Sequence, residues 1–237
     1  MDPKMPHGMK LMRTCLGSFT LSTKSKRSQN SHVNAYLTET ALAMRGLFSL
    51  IGDDESVLSD KKGTLDTATR RRTHAQSILH AGAPTTGFGE DTRPYFEKKA
   101  RDARRESREV EAEIVALKAT IFAKETSVQA LSGAVLQIAK QGVAIVRGDL
   151  AACPPGRLVG RETLKNVIWQ ARNQSMHWEE NAFHQSVIAC FANLQLDFGN
   201  EFQLPTATPR SLAKQVLQAL GWNTYESYEH DLVSLLG

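Results

Sequence analysis

A stripe of apolar residues runs along the middle of the chain at helical spacing. Its members recur in steps of three, four and seven residues: Val110, Ile114, Leu117, Ile121, Val128, Leu131, Val135 and Ile138. This is the period of one buried face of an α-helix, and no segment of the sequence shows the sustained alternation that is typical of strands. We therefore expect an all-α protein, a helical bundle with one long helix that begins near Pro94.

Two glycines, Gly133 and Gly142, lie within this apolar stretch. A glycine inside a helix costs about 1 kcal/mol relative to alanine. Either the close approach of a neighbouring helix or a break between two shorter helices would account for them.

The chain divides by composition into three regions. Residues 1–30 are rich in Lys, Ser and Thr and are expected to form a polar N-terminal arm. Residues 31–92 are expected to form an N-terminal helical region, and residues 93–237 are expected to form the bundle.

The predicted helices before the long one span 33–50, ended by Gly52, and 54–79; a loop covers 82–92. The predicted helices after it span 161–180, 182–198 (capped by Asn181), 211–220 (capped by Ser211) and 225–236.

The composition indicates the expected cellular compartment and the possible partners, but it does not identify the function. The net charge of +4 is compatible with a polyanionic partner such as RNA, but many proteins share it. The three cysteines, Cys15, Cys153 and Cys190, are far apart and include no CxxC pair, which argues against a disulfide framework or a zinc site. The most apolar window, residues 128–146, contains too many polar residues for a membrane span. We expect a cytoplasmic protein with reduced thiols and no membrane partner.

The helix predicted over residues 161–180 carries three polar residues suited to phosphate chemistry. An α-helix turns about 100° per residue, so Asn173 and His177 share a face and Arg172 lies about 140° from His177. Histidine titrates near neutrality and can move protons, whereas the planar, permanently charged arginine fork suits a phosphate. An amide can orient either group or hold a phosphate oxygen.

RNA cleavage without a metal needs these groups. The ribose 2′-hydroxyl must lose a proton, the leaving 5′-oxygen must gain one, and negative charge builds on the phosphate between them. One chain offers one such histidine. A two-fold dimer that juxtaposes two copies of the helix would offer one histidine as acid and one as base.

This arrangement resembles the signature of the HEPN superfamily, an all-α group with an Arg-x4-6-His motif and usually a polar residue after the arginine. The resemblance, to a bacterial and plasmid-borne subgroup, covers roughly residues 128–237. It is carried by Ile168 to Glu180, by Cys190-Phe191-Ala192-Asn193-Leu194, and by Leu220-Gly221-Trp222 with Tyr225 and Asp231.

The resemblance implies a dimeric, metal-independent endoribonuclease of toxin–antitoxin or phage-defence type. It implies Arg172, Asn173 and His177 as catalytic residues, RNA and a second copy of the chain as partners, and no cofactor or metal. A cognate antitoxin or nucleotidyltransferase is a further partner that it allows. The alternative is a non-catalytic, HEPN-type dimeric interaction module or nucleotide-binding module.

Simpler interpretations stay open for each of these residues. Arg172 and His177 could be surface residues on a helix whose other side is core. Glu180, three residues after His177, could orient it or form an ordinary surface pair. Trp169 and Trp178 favour packing over base stacking. The run Arg70-Arg71-Arg72 is expected to be a solvated face rather than an RNA contact.

Overall fold

The computed structural model describes residues 21–81, 92–180, 182–204 and 209–237, with side chains from residue 35 onward. The described part of the chain is almost wholly helical, as the sequence predicted. Its elements are α1 (Leu21–Ala81), α2 (Arg93–Arg147), β1 (Leu158–Val159), β2 (Glu162–Thr163), α3 (Leu164–His177), α4 (Gln185–Phe198), α5 (Ala213–Leu220) and α6 (Tyr225–Leu236). None of the helices in these ranges is long and apolar enough to cross a membrane.

The two long helices, α1 and α2, pack antiparallel along each other. Tyr36 near the beginning of α1 donates a hydrogen bond to the carbonyl of Ile138, and Arg72 near its end pairs with Glu111. At 1.5 Å per residue, the 61 residues of α1 span about 90 Å. The main core draws on both helices, so it is continuous across the boundary predicted at residue 92.

The prediction of two separate helices over residues 33–50 and 54–79 is wrong. The helix α1 runs through Gly52, where the sequence predicted an end, and it begins at Leu21, inside the predicted arm. Gly52 faces open space and costs only about 1 kcal/mol, while Ile51 and Leu58 beside it are buried in the core. Tertiary packing therefore outweighs the local signal. Residues 1–20 of the arm and residues 82–91 of the predicted loop lie outside the described residues.

Gly133 and Gly142 do not mark a break, because α2 is continuous through both. A Cβ atom at Gly142 would lie 2.6 Å from Cε1 of Tyr36, so only glycine admits the tyrosine ring at this point. At Gly133 the nearest neighbour is the side chain of Ser175 on α3, at 3.6 Å from where a Cβ would be. A break is therefore excluded at both glycines, and a close approach that requires glycine occurs at Gly142, whereas the contact at Gly133 is an ordinary van der Waals distance.

The far end of the hairpin is joined largely by charged side chains. A small hydrophobic core of Ala68, Val110 and Ile114 lies between the two helices there. Around it Arg71 pairs with Glu113 at 3.1 Å and Arg72 with Glu111 at 2.9 Å. Two of the three arginines in the run therefore pair with carboxylates of α2, whereas the sequence predicted only a solvated face.

The shorter elements pack on the other end of the hairpin. Helices α3 and α5 lie against α2, and α6 contacts both long helices. A buried network holds the C-terminus: Asp231 accepts hydrogen bonds from Arg157 at 2.9 Å and from the indole N–H of Trp222 at 2.8 Å. The left-handed Gly221, φ +68°, ends α5 as its sequence position predicted.

Replacing Gly142 by alanine is expected to lower the free energy of unfolding by about 1–3 kcal/mol, because the new methyl group overpacks against Tyr36. Gly52→Ala is the matched control: its Cβ meets nothing within 4 Å, so we expect an increase of about 0.5–1 kcal/mol. Urea denaturation followed by circular dichroism measures both. Equal effects of the two substitutions would contradict the close contact.

Candidate functional site

The motif residues lie on α3, and one side of this helix is buried in the core. Leu164, Val167, Ile168 and Ala171 are buried, and they anchor the helix between α2, α4 and α5. The helix is shorter than predicted because residues 161–163 belong to the β1–β2 hairpin, and it continues after His177 as a 3-10 turn, Trp178–Glu180. The predicted cap Asn181 lies outside the described residues.

Gln174 fixes the motif helix to the segment before α5. It is fully buried; its Nε2 donates to the carbonyl of Arg210 and its Oε1 accepts from the amide of Leu212, both at 2.8 Å. A buried amide with both ends satisfied is a specific tertiary link. Sequence reasoning missed it, although an amide on the apolar side of an amphipathic helix is a visible signal.

Arg172 is half-buried and is held by two neighbours. Its Nε donates to Oε1 of Gln137 on α2 at 2.5 Å, and its Nη1 donates to Oδ1 of Asn173 at 3.2 Å. A guanidinium has five N–H donors, so donors are left for a ligand. Gln137, another residue that sequence reasoning missed, thus orients the cation.

His177, the last residue of α3, has a side chain that is 51% exposed. Its Nδ1 lies 2.8 Å from Oε1 of Glu180 in the following turn. This contact favours the tautomer with the proton on Nδ1 and leaves Nε2 as the acceptor. Within the described ranges Nε2 has no hydrogen-bond partner.

The structure brings two of the three predicted site residues together and leaves the third apart. Asn173 contacts Arg172, whereas no hydrogen bond among the described residues joins His177 to either of them. The separation follows from helical geometry, since positions 172 and 177 point about 140° apart. One chain therefore holds the guanidinium of Arg172 and the imidazole of His177 on different sides of one helix end.

Comparisons with protein-family models, curated proteins and solved structures found no match for this chain. The resemblance to HEPN proteins therefore depends on the sequence strings alone.

A groove with a volume of 910 Å³ lies beside this site. We call it the α2–α3–α5 groove, after the helices that form most of its wall. Gln137, the partner of Arg172, lines it, as do Ser175, Met176 and Trp178 of the motif helix and its extension. Trp178 is half-buried here, and the other tryptophan of the motif, Trp169, packs against the core.

The two cysteines of the described chain are poorly suited to nucleophilic chemistry. Cys153 and Cys190 are free and buried, and burial raises the pKa of Cys190 to about 12 and that of Cys153 above its ordinary value. Such thiols stay protonated and unreactive. Among the described residues, no cluster of three or more His, Cys, Asp or Glu side chains is placed to hold a metal ion.

Substituting Gln174 by alanine is expected to reduce the free energy of unfolding by about 1–3 kcal/mol, since the amide of Leu212 and the carbonyl of Arg210 would lose their partner. Gln185→Ala, at an exposed position of α4, is the control and should change little. Urea denaturation decides between them; similar values for both variants would show that the buried amide is not a structural link.

The contact with Glu180 is expected to set the tautomer of the neutral His177 ring. In ¹⁵N spectra of the wild type, the proton should reside mainly on Nδ1, and Glu180→Ala should shift population toward Nε2–H. Glu179→Ala changes a neighbouring carboxylate that is not bonded to the ring. If both variants gave the wild-type spectrum, the contact would have no part in orienting His177.

Proposed function

We propose that this protein is a metal-independent endoribonuclease whose site is completed by two copies of α3. One observation carries the proposal. At the end of a single helix, a cation and an imidazole are each oriented by a polar neighbour, Arg172 by Gln137 and His177 by Glu180, and each keeps hydrogen-bonding capacity for a ligand. Orientation of this kind is what positioned acid–base and phosphate-binding groups require.

The reaction follows from the chemistry of these groups. The neutral His177 of one copy accepts the proton of a ribose 2′-hydroxyl at Nε2, and the 2′-oxygen forms a bond to the adjacent phosphorus. The bond from phosphorus to the 5′-oxygen breaks, and the protonated His177 of the other copy donates the proton that this oxygen needs. The products are a 2′,3′-cyclic phosphate and a 5′-hydroxyl.

Arg172 binds the non-bridging phosphate oxygens. Its fork can form two parallel hydrogen bonds to a phosphate, and its charge stabilises the negative charge that develops in the transition state. Asn173, in contact with Nη1, limits the orientations that the guanidinium can take. We assign Asn173 a positioning role on this basis.

Two copies are needed because one imidazole cannot serve as base and acid on opposite sides of the phosphorus in the same step. In a two-fold dimer that brings the two helix ends together, each chain supplies one His177 and one Arg172. The divergence of the two side chains within one chain is compatible with this design, because the partner helix can supply the group that its own helix turns away.

The biological setting comes from the HEPN resemblance and belongs to the proposal. A toxin or phage-defence nuclease would act on cellular RNA in the cytoplasm and would be restrained by a cognate antitoxin or a nucleotidyltransferase.

Purified protein is expected to cleave RNA in the presence of EDTA and to leave 2′,3′-cyclic phosphate ends. His177→Ala should reduce the rate by at least about 100-fold, the usual contribution of a positioned acid–base group. His230→Ala, at another exposed histidine, should cleave as the wild type does. A folded, dimeric wild type that leaves diverse RNA substrates intact would refute the proposal and favour the non-catalytic interaction module.

Mixing the chains tests whether two copies share one site. An excess of His177→Ala chain exchanged into wild-type dimers should suppress activity below the level of simple dilution, because every mixed dimer holds only one His177. An equal excess of the His230→Ala chain should add activity instead. Activity that falls only in proportion to the wild-type fraction would show that each chain cleaves alone.

A further inference from the structure

We infer that the α2–α3–α5 groove binds single-stranded RNA next to the proposed cleavage site. The inference deepens the proposed function and rests on it for the identity of the polymer. Three features of the groove support it: an exposed aromatic ring, an excess of positive charge, and a wall rich in amides.

The aromatic ring is that of Phe122 on α2. Phe122 is 72% exposed although it lines the groove, and it lies outside the apolar stripe that α2 buries. Trp178 and Met176, which is 54% exposed, line the same groove from the α3 side. Exposed aromatic rings along a groove are the platforms on which unpaired bases stack, and every base has a face that can do so.

The charges lining the groove are three cations, Lys62, Arg210 and Lys214, and one carboxylate, Glu125. Lys62 pairs with Glu125 at 2.6 Å and Lys214 with Glu55 at 2.8 Å, but these pairs are partly exposed and therefore cost little to open. Arg210 is exposed and its guanidinium has no partner within the described ranges. The groove thus presents a positive lining with one cation uncommitted, as a phosphate backbone requires.

The N-terminus of α5 is not the phosphate site, although it opens near the groove. Its amides are already satisfied: Leu212 donates to Gln174, Ala213 to Ser211 and Lys214 to Gln129. Phosphate contacts in the groove therefore fall to side chains, above all to Arg210.

Gln137 connects the groove to the site. It lines the groove and accepts the hydrogen bond that orients Arg172, so a strand lying in the groove passes next to the phosphate-binding cation. Gln218 and the Nε2 group of Gln215 offer further hydrogen-bonding groups along the wall, whereas the amide of Gln129 is already bonded to Gln215 and to the backbone of Lys214. The strand must be single, because a duplex hides the base faces that Phe122 would stack on.

Binding is measured by fluorescence polarisation with a labelled 2′-O-methyl oligouridine of about 12 nucleotides, within the site sizes of single-strand binding modules. The probe lacks the 2′-hydroxyl nucleophile, so binding is separated from cleavage. Phe122→Ala should weaken binding about tenfold, the loss expected when one stacked base is lost. Arg210→Gln should weaken it and reduce the slope of log affinity against log salt concentration by about 0.7.

The chain offers matched controls on the same long hairpin. Tyr95→Ala removes another exposed aromatic ring of α2, about 40 Å from Phe122 along the helix, and Arg70→Gln removes an exposed arginine of α1. Both should bind as the wild type does. Phe122→Trp keeps a stacking surface and should restore affinity, which distinguishes lost stacking from a folding defect.

Wild-type affinity in Phe122→Ala and Arg210→Gln would overturn the inference. So would equal affinity for a duplex of the same length, or displacement of the probe by polyglutamate as effectively as by RNA, which would mark the groove as a site for an acidic protein segment. The two proposals fail separately. If the wild type cuts no RNA but the groove variants still weaken probe binding, only the nuclease proposal is refuted. If the wild type cuts RNA but the groove variants bind the probe normally, only the groove proposal is refuted.

Discussion

The packing of α1 against α2 is the constraint on which the rest of this structure depends. Long helices with one modest apolar face are not stable alone in water, and each of these two gains its stability by burying that face on the other. The shorter helices then pack on this platform, α3 with Ser175 next to Gly133 and α6 through the buried rings of Phe48 and Tyr228. The orientation of Arg172 depends on the same platform, because Gln137 is part of it.

Features with a local cause could be predicted from the sequence. The period of the apolar stripe predicted α2, and the glycine after Leu220 predicted the end of α5, because in both cases the signal lies within a few turns of the element. The end predicted at Gly52 was wrong because a local cost of about 1 kcal/mol was set against the burial of residues on either side of it. That burial depends on a partner helix about 70 residues away.

The candidate site also combines features that could be predicted from the sequence with features that could not. Spacing alone put Asn173 and His177 on one face of the helix and Arg172 about 140° from His177, whereas the contact between Arg172 and Asn173 is known only from the structure. The contacts that hold these residues, Gln137 for the guanidinium and Gln174 for the helix as a whole, join segments more than 30 residues apart and leave no periodic trace. Phe122 is an intermediate case, since an aromatic residue that falls outside a helix's apolar stripe is visible in the sequence, whereas the groove around it is not.

The contact between Tyr36 and Gly142 has a mechanical consequence. The Tyr36 ring lies against α2 where Gly142 has no side chain, and we call this position the glycine notch. One turn away on either side, Ile138 and Val146 have branched side chains. A shift of one turn, about 5.4 Å, would bring the Tyr36 ring against one of these branched side chains, so this contact opposes sliding of the two long helices. The notch thereby fixes the register of the hairpin, and with it the position of Gln137 beside the motif helix.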